Sequence, residues 1–108
     1  MFRANYMYRD EVSTEIVADF DKRKVEIKNH TDNLLKRAFG INETPTFDNF
    51  LEFLEDRCFP RTRDKLYIHL YELGLDSYDP LQIVIRTKGR VEGDFMWLDI
   101  LEVQDEQL

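Results

Sequence analysis

The stretch Phe-Met-Trp-Leu-Asp-Ile-Leu, residues 95–101, decides the fold class because it is a β-prone run that follows four predicted helices. Its apolar residues lie on both faces of an extended chain, as expected of a covered strand. Such a strand needs a partner, and the other predicted strands lie near the start of the chain. We therefore predict a small α+β domain in which the C-terminal strand joins an N-terminal hairpin, with helices covering one face.

The N-terminal hairpin is predicted from two runs of alternating residues. Residues 12–20 place apolar and polar side chains mostly in alternation, which is the period-two pattern of a half-buried strand. Residues 24–28 alternate valine and isoleucine with charged residues, and Asp21-Lys22-Arg23 separates the two runs. This arrangement indicates a β-hairpin.

Four helices are predicted between the hairpin and the last strand. The first covers residues 31–39, because Thr31 is a good N-cap, apolar residues form one face and Gly40 follows. The other three have helical apolar spacing and cover residues 47–58, residues 63–73 and the stretch between Asp79 and Gly89. The predicted order of elements is therefore β-β-α-α-α-α-β.

Length and composition limit the classes of protein that the chain can represent. Its 108 residues predict one domain, residues 1–108, with a tail that frays from about residue 104. The single cysteine excludes an internal disulfide framework, and no apolar stretch is long enough to span a bilayer, so we expect a cytoplasmic protein without a membrane partner. A net charge of −7 argues against direct binding of duplex DNA, which relies on lysine and arginine contacts to phosphate.

The segment Arg57-Cys58-Phe59-Pro60-Arg61-Thr62-Arg63 opposes this overall charge, because residues 57–65 hold four basic side chains against one acidic side chain. Pro60 ends one predicted helix, so two of the arginines are expected at the start of the next, where the helix dipole disfavours cations. Two explanations stay open, namely neutralisation by nearby acids and contact with a partner. A second basic cluster surrounds Gly89. The residues predicted to bind a partner are Arg57, Arg61, Arg63, Arg86, Lys88 and Arg90.

The sequence contains no recognisable catalytic or metal-binding constellation. Cys58 lies beside arginines that would stabilise a thiolate, but it also lies near a predicted helix C-terminus, which acts the other way, and no base accompanies it. His30 and His69 are far apart, and two histidines with one cysteine show no known metal-ligand spacing. The glycines stand singly, so no phosphate-binding loop is indicated. We predict a protein that is not an enzyme and uses no metal or cofactor.

Two motifs carry a resemblance to a known family. They are Arg-Cys-Phe-Pro-Arg-Thr-Arg at residues 57–63 and the run from Glu72 to Arg90, which ends in Thr-Lys-Gly-Arg and precedes the tryptophan-bearing strand. Over about residues 39–100 the chain resembles small bacterial proteins that are often encoded beside HipA-like kinases. A minor departure is Glu92-Gly93-Asp94, where the family pattern is more uniformly acidic or polar. The resemblance implies a companion or antitoxin-like protein that contacts a kinase, and it assigns no catalytic residue.

Two functions follow as hypotheses. The first is a noncatalytic regulatory protein that binds a larger protein partner through its arginines, with a HipA-like kinase as the implied partner. The second is an inhibitor of the anti-CRISPR type, encoded by a mobile element, whose acidic surface mimics nucleic acid and blocks an effector nuclease. The acidic residues predicted for the second function are Glu43, Asp48, Glu52, Glu55, Asp56, Glu92, Asp94 and Glu102.

Overall fold

The computed structural model describes residues 1–103 and shows a small α+β domain, as the sequence predicts. The predicted frayed tail lies outside the described residues. Within them, a four-stranded antiparallel sheet packs against helices. The elements are β1 (Phe2–Tyr8), β2 (Glu11–Asp19), β3 (Lys24–Asn29), α1 (Phe47–Asp56), α2 (Leu66–Glu72), α3 (Pro80–Thr87) and β4 (Met96–Val103).

The predicted order of elements is wrong at two places, and the first is a strand that the sequence analysis missed. β1 lies between β2 and β4, so the sheet order is β3-β2-β1-β4. The C-terminal strand therefore joins the N-terminal part of the sheet through β1 and not through the β2–β3 hairpin. The residues Phe2, Ala4 and Tyr6 alternate along β1 and are buried, so the period-two signal of this strand was present in the sequence.

The second error is the predicted helix over residues 31–39, which forms turns. The Thr31 hydroxyl and the Asn33 side chain accept hydrogen bonds from backbone amides two residues further on, at 3.2 and 3.0 Å. Such local bonds offer the backbone an alternative to a helix, and a nine-residue helix without strong packing is marginal in water. The packing is indeed weak, since Leu35 is 93% exposed.

The other three predicted helices are present with adjusted ends. α1 begins after Thr46, and a capping box joins Thr46 to Asn49 through bonds of 3.1 and 3.0 Å. α3 begins at Pro80, where the Asp79 carboxylate caps the helix. α2 is shorter than predicted, because it begins at Leu66. No helix in the described part of the chain combines the length and apolarity that a membrane span requires.

The hydrophobic core lies between one face of the sheet and the helices. Phe50 of α1 is fully buried and its ring contacts the ring of Phe2 at a centroid distance of 5.5 Å. The opposite face of the sheet is polar, and on it Arg3 forms an ion pair with Glu102 at 3.0 Å. β4 is an edge strand with Leu101 60% exposed. The prediction that this strand is covered on both faces is therefore wrong, because helices cover only one face.

Candidate partner-binding surface

Arg57, the first residue of the predicted basic segment, points into the protein. Its side chain is only 9% exposed. Nε donates to the Gly89 carbonyl at 2.9 Å, Nη2 donates to the Met96 carbonyl at 3.0 Å, and Nη1 lies 3.4 Å from the Tyr6 hydroxyl. Nη1 and Nη2 also donate to the Asp94 carboxylate at 3.0 and 3.2 Å. All three guanidinium nitrogens have internal partners, so we remove Arg57 from the predicted partner-binding set.

Asp94, predicted as part of an acidic surface, is the charged partner of Arg57. Burial alone would raise the pKa of the Asp94 carboxyl, but hydrogen bonds from Arg57 and from the Met96 amide, together with the Arg57 charge, outweigh burial and lower that pKa. The pair is therefore ionised at neutral pH. Both oxygens of Asp94 accept hydrogen bonds from Arg57. Asp94 therefore anchors the loop before β4 to Arg57 and does not present a free charge.

The two predicted basic segments meet at the bond from Arg57 to Gly89. α3 ends in two successive left-handed residues, with φ of 58° at Lys88 and 64° at Gly89. This turn brings the Lys88 carbonyl within 2.7 Å of the Leu98 amide, which donates to it. The end of α1, the end of α3 and the start of β4 are thereby joined around one arginine side chain.

Arg61 and Arg63 lie in the loop between α1 and α2, and both are exposed. The prediction that they occupy a helix start is wrong, because α2 begins three residues after Arg63 and the effect of a helix dipole falls off within one turn. The Arg61 guanidinium lies over the Tyr78 ring at 4.2 Å and pairs with Glu55 at 2.7 Å. The Arg63 guanidinium lies over the Phe59 ring at 5.8 Å.

The second predicted cluster lies at the other end of α3. Arg86 is exposed and donates to the side chain of Gln82, one turn earlier on the helix. Lys88 is exposed at the helix C-cap, and the Arg90 guanidinium lies over the Trp97 ring at 4.9 Å. Because α3 has eight residues, about 12 Å of helix separates this cluster from Arg61 near the helix start. The exposed cations thus lie near the two ends of one helix.

Beside Arg90 lies a groove that the sequence analysis did not predict. We call it the Trp97 groove; it has a volume of about 580 Å³ and is lined by Arg9, Arg90, Val91, Glu92, Gly93, Asp94, Phe95, Met96 and Trp97. The Arg9 guanidinium lies over the Phe95 ring at 4.0 Å, and Trp97 Nε1 donates to the Arg9 carbonyl at 2.6 Å. Arg9 was missed because its position depends on β1, which carries it to the β1–β2 turn.

The predicted acidic residues do not share one face of the described domain. Asp48, Glu52 and Glu55 have the spacing of one face of α1, but Asp48 pairs with Arg23 at 2.8 Å and Glu55 pairs with Arg61. Glu102 lies on the polar face of the sheet, away from the helices. The remaining residues are Asp56 on α1, Glu43 within 3.9 Å of Arg37, Asp94 beside Arg57, and Glu92 in the Trp97 groove.

Cys58 is enclosed beneath the α1–α2 loop. Its thiol lies 3.2 Å from the Leu54 carbonyl, and only 9% of the residue is exposed. Burial, and secondarily the negative charge of Glu55, raise the pKa of the Cys58 thiol to about 12. Within residues 1–103, no group of three or more histidine, cysteine, aspartate or glutamate side chains is placed to hold a metal ion.

This pKa predicts a slow reaction of the native protein with a thiol reagent such as DTNB. At pH 8 we expect a rate at least about a hundredfold below that of the urea-unfolded chain, because the folded protein holds far less thiolate and hides the sulfur. The rate is followed by the absorbance of released thionitrobenzoate. The variant Cys58→Ser provides the blank, and equal rates for folded and unfolded chains would show that the thiol is accessible and acidic.

Comparison of the chain with protein-family models, with curated proteins and with solved structures found no match.

Proposed function

We propose that the chain is a noncatalytic, antitoxin-like regulatory protein that binds a larger protein partner through the exposed basic residues near α3. The surface comprises Arg61, Arg63, Arg86, Lys88 and Arg90. The observation that supports this proposal is that three of these arginines lie over aromatic rings, namely Tyr78, Phe59 and Trp97. Arginine and aromatic residues are the types that contribute most binding energy in protein interfaces.

Stacking on a ring prepares an arginine for binding. The attraction between guanidinium and ring restrains a long side chain that would otherwise lose rotamer entropy on association. Arg63 and Arg90 have no carboxylate within 4.0 Å among the described residues, whereas Arg61 pairs with Glu55 at the surface. Two of the stacked arginines therefore retain unneutralised charge for a partner.

The kind of partner comes from the family resemblance. The chain resembles small bacterial proteins that are often encoded beside HipA-like kinases, so a HipA-like kinase from the same genome is the partner to test first. A basic docking surface would increase the rate of association with an acidic region of such a kinase. In this proposal the chain contributes binding and regulation, and the kinase contributes any chemistry.

The test is a pull-down and a titration with the kinase. We expect a stable complex, and we expect the double substitution Arg61→Glu with Arg63→Glu to weaken it at least about tenfold, because charge reversal replaces attraction by repulsion across the interface. The matched control is Lys24→Glu with Lys28→Glu, which reverses two exposed charges on β3 at the far edge of the sheet. Equal weakening by both pairs, or unchanged binding of the arginine variant, would reject this docking surface.

The alternative function is the acidic inhibitor. Phosphate mimicry requires carboxylates that are spaced along one surface and remain free of counterions. Arg23, Arg61 and Arg3 pair with three of the predicted acids, and those acids lie on two faces of the domain. We therefore advance the basic surface alone as the proposed function.

A further inference from the structure

The Trp97 groove holds two arginines from distant parts of the sequence in similar surroundings. Arg9 lies in the β1–β2 turn and Arg90 follows α3, yet each guanidinium lies over an aromatic ring, at 4.0 Å from Phe95 and 4.9 Å from Trp97. The backbone of the turn is tied to the groove by the bond from Trp97 Nε1 to the Arg9 carbonyl and by the bond from the Arg9 amide to the Phe95 carbonyl, at 2.9 Å. Both cations are therefore restrained at the groove.

The chemistry of a stacked guanidinium specifies what it binds. Attraction to the ring restrains the group, and its N–H donors match the two oxygens of a carboxylate. Arg9 and Arg90 are both exposed, and neither has a carboxylate within 4.0 Å in the part of the chain that the structure describes. The groove thus has two donor groups that lack an anion.

The other charged groups of the groove do not supply that anion. Both oxygens of Asp94 accept hydrogen bonds from Arg57 and the pKa of its carboxyl is lowered, so this carboxylate is already paired with another arginine. Glu92 is exposed and lines the groove, but it forms no ion pair with either arginine. Because like charges repel, Glu92 opposes the entry of another carboxylate. The variant Glu92→Gln should therefore bind an acidic ligand more tightly than the unaltered chain does.

We infer that the Trp97 groove binds an acidic segment of the partner protein. The guanidinium groups of Arg9 and Arg90 hold its carboxylates, and the CH₂ groups of its acidic side chains pack against Phe95 and Trp97. This inference rests on the proposed function, because it names the chemistry of the partner segment. It adds Arg9, Phe95 and Trp97 to the binding surface. The volume of about 580 Å³ is within the usual range of ligand-binding clefts in proteins.

The experiment uses the single tryptophan of the chain as its reporter. The full chain is titrated with the capped pentapeptide Gly-Glu-Gly-Glu-Gly at an ionic strength of about 0.01 M, where screening is weak. We expect a saturable change in Trp97 fluorescence, and a response at least about tenfold weaker with the matched Gly-Gln-Gly-Gln-Gly peptide. Arg9→Gln or Arg90→Gln should weaken binding of the glutamate peptide about tenfold or more, and Glu92→Gln should strengthen it.

The matched control is Arg86→Gln, which removes one exposed positive charge outside the groove lining. Arg90→Lys keeps the charge but loses the flat stacked group, so it should restore only part of the affinity. Equal responses to the two peptides would overturn the inference. So would equal weakening by Arg86→Gln and Arg90→Gln, tighter binding of single-stranded oligothymidylate, or a concentration-dependent dimer that occupies the groove without peptide.

A synthetic peptide makes the two proposals separable. If the peptide binds and the kinase does not, the groove inference stands and the proposed partner is wrong. If the kinase binds but the peptide response is absent or insensitive to Arg9→Gln and Arg90→Gln, the partner is right and the groove inference is wrong. Circular dichroism melts of each variant confirm that the fold is retained.

Discussion

Replacing Arg57 with alanine is expected to lower the free energy of unfolding by about 2–4 kcal/mol, which is a large part of the stability of a small domain. The substitution removes every bond that the guanidinium makes. It leaves the Asp94 carboxylate without its cation and the carbonyls of Gly89 and Met96 without a donor. The two carbonyls belong to buried residues, where an unpaired polar group costs more than an ordinary bond contributes, whereas the Asp94 side chain is 38% exposed and can be hydrated.

The measurement is urea unfolding followed by circular dichroism or Trp97 fluorescence. Arg86→Ala is the matched control, since this arginine is exposed and donates only to the neighbouring Gln82, and we expect its effect to stay below about 0.5 kcal/mol. Arg57→Lys should recover only part of the loss, because an ammonium group cannot bridge four acceptors in a planar fork. A loss below about 1 kcal/mol for Arg57→Ala would show that the buried network contributes little to stability.

Replacing Gly89 with alanine is the second large effect, expected at about 2–4 kcal/mol. Gly89 has φ of 64°, a left-handed conformation that costs an L-residue about 1–2 kcal/mol. A Cβ atom at this position would also lie 3.0 Å from Leu98 Cδ1 and 3.6 Å from Arg57 Cβ. Because Leu98 is fully buried, its side chain has little room to move, and overpacking adds to the backbone cost.

Gly74→Ala separates these two causes. Gly74 has φ of 77°, and a Cβ atom there would meet nothing within 4 Å, so the substitution carries the backbone cost without the clash. We expect about 1–2 kcal/mol for Gly74→Ala in the same unfolding measurement. If both glycine variants lose the same stability, the close approach of Leu98 has no energetic weight.

The parts of the fold that sequence reasoning predicted correctly are those where several local signals agree. α1 has an N-cap at Thr46, an apolar face and a stop before Pro60, and all of these act within the segment itself. The helix over residues 31–39 had a cap and an apolar face as well, but the turns begun by Thr31 and Asn33 compete with it and its leucines find no core. Whether such a segment becomes helical depends on tertiary packing, which local pattern does not report.

At the candidate surface, too, local sequence predicts some features and tertiary packing decides the others. Charge and motif identified the exposed arginines near α3, yet they did not distinguish Arg57, which the fold turns inward, from Arg61, which stays outside. That distinction depends on the carbonyls of Gly89 and Met96, more than 30 residues away, which accept hydrogen bonds from Arg57. The role of Arg9 could not be predicted from the sequence for a related reason. Only the pairing of β1 with β4 brings the β1–β2 turn to Phe95 and Trp97.

The central position of β1 has a consequence for folding during synthesis. The ribosome makes β1 before its second neighbour, β4, which is not available until residues 96–103 have emerged. The β1–β2–β3 meander can form early, whereas one edge of β1 must wait until all the helices have been made. A nascent chain therefore carries an unpaired strand edge while the segment between β1 and β4 is being made, and that edge is open to wrong pairing until β4 emerges.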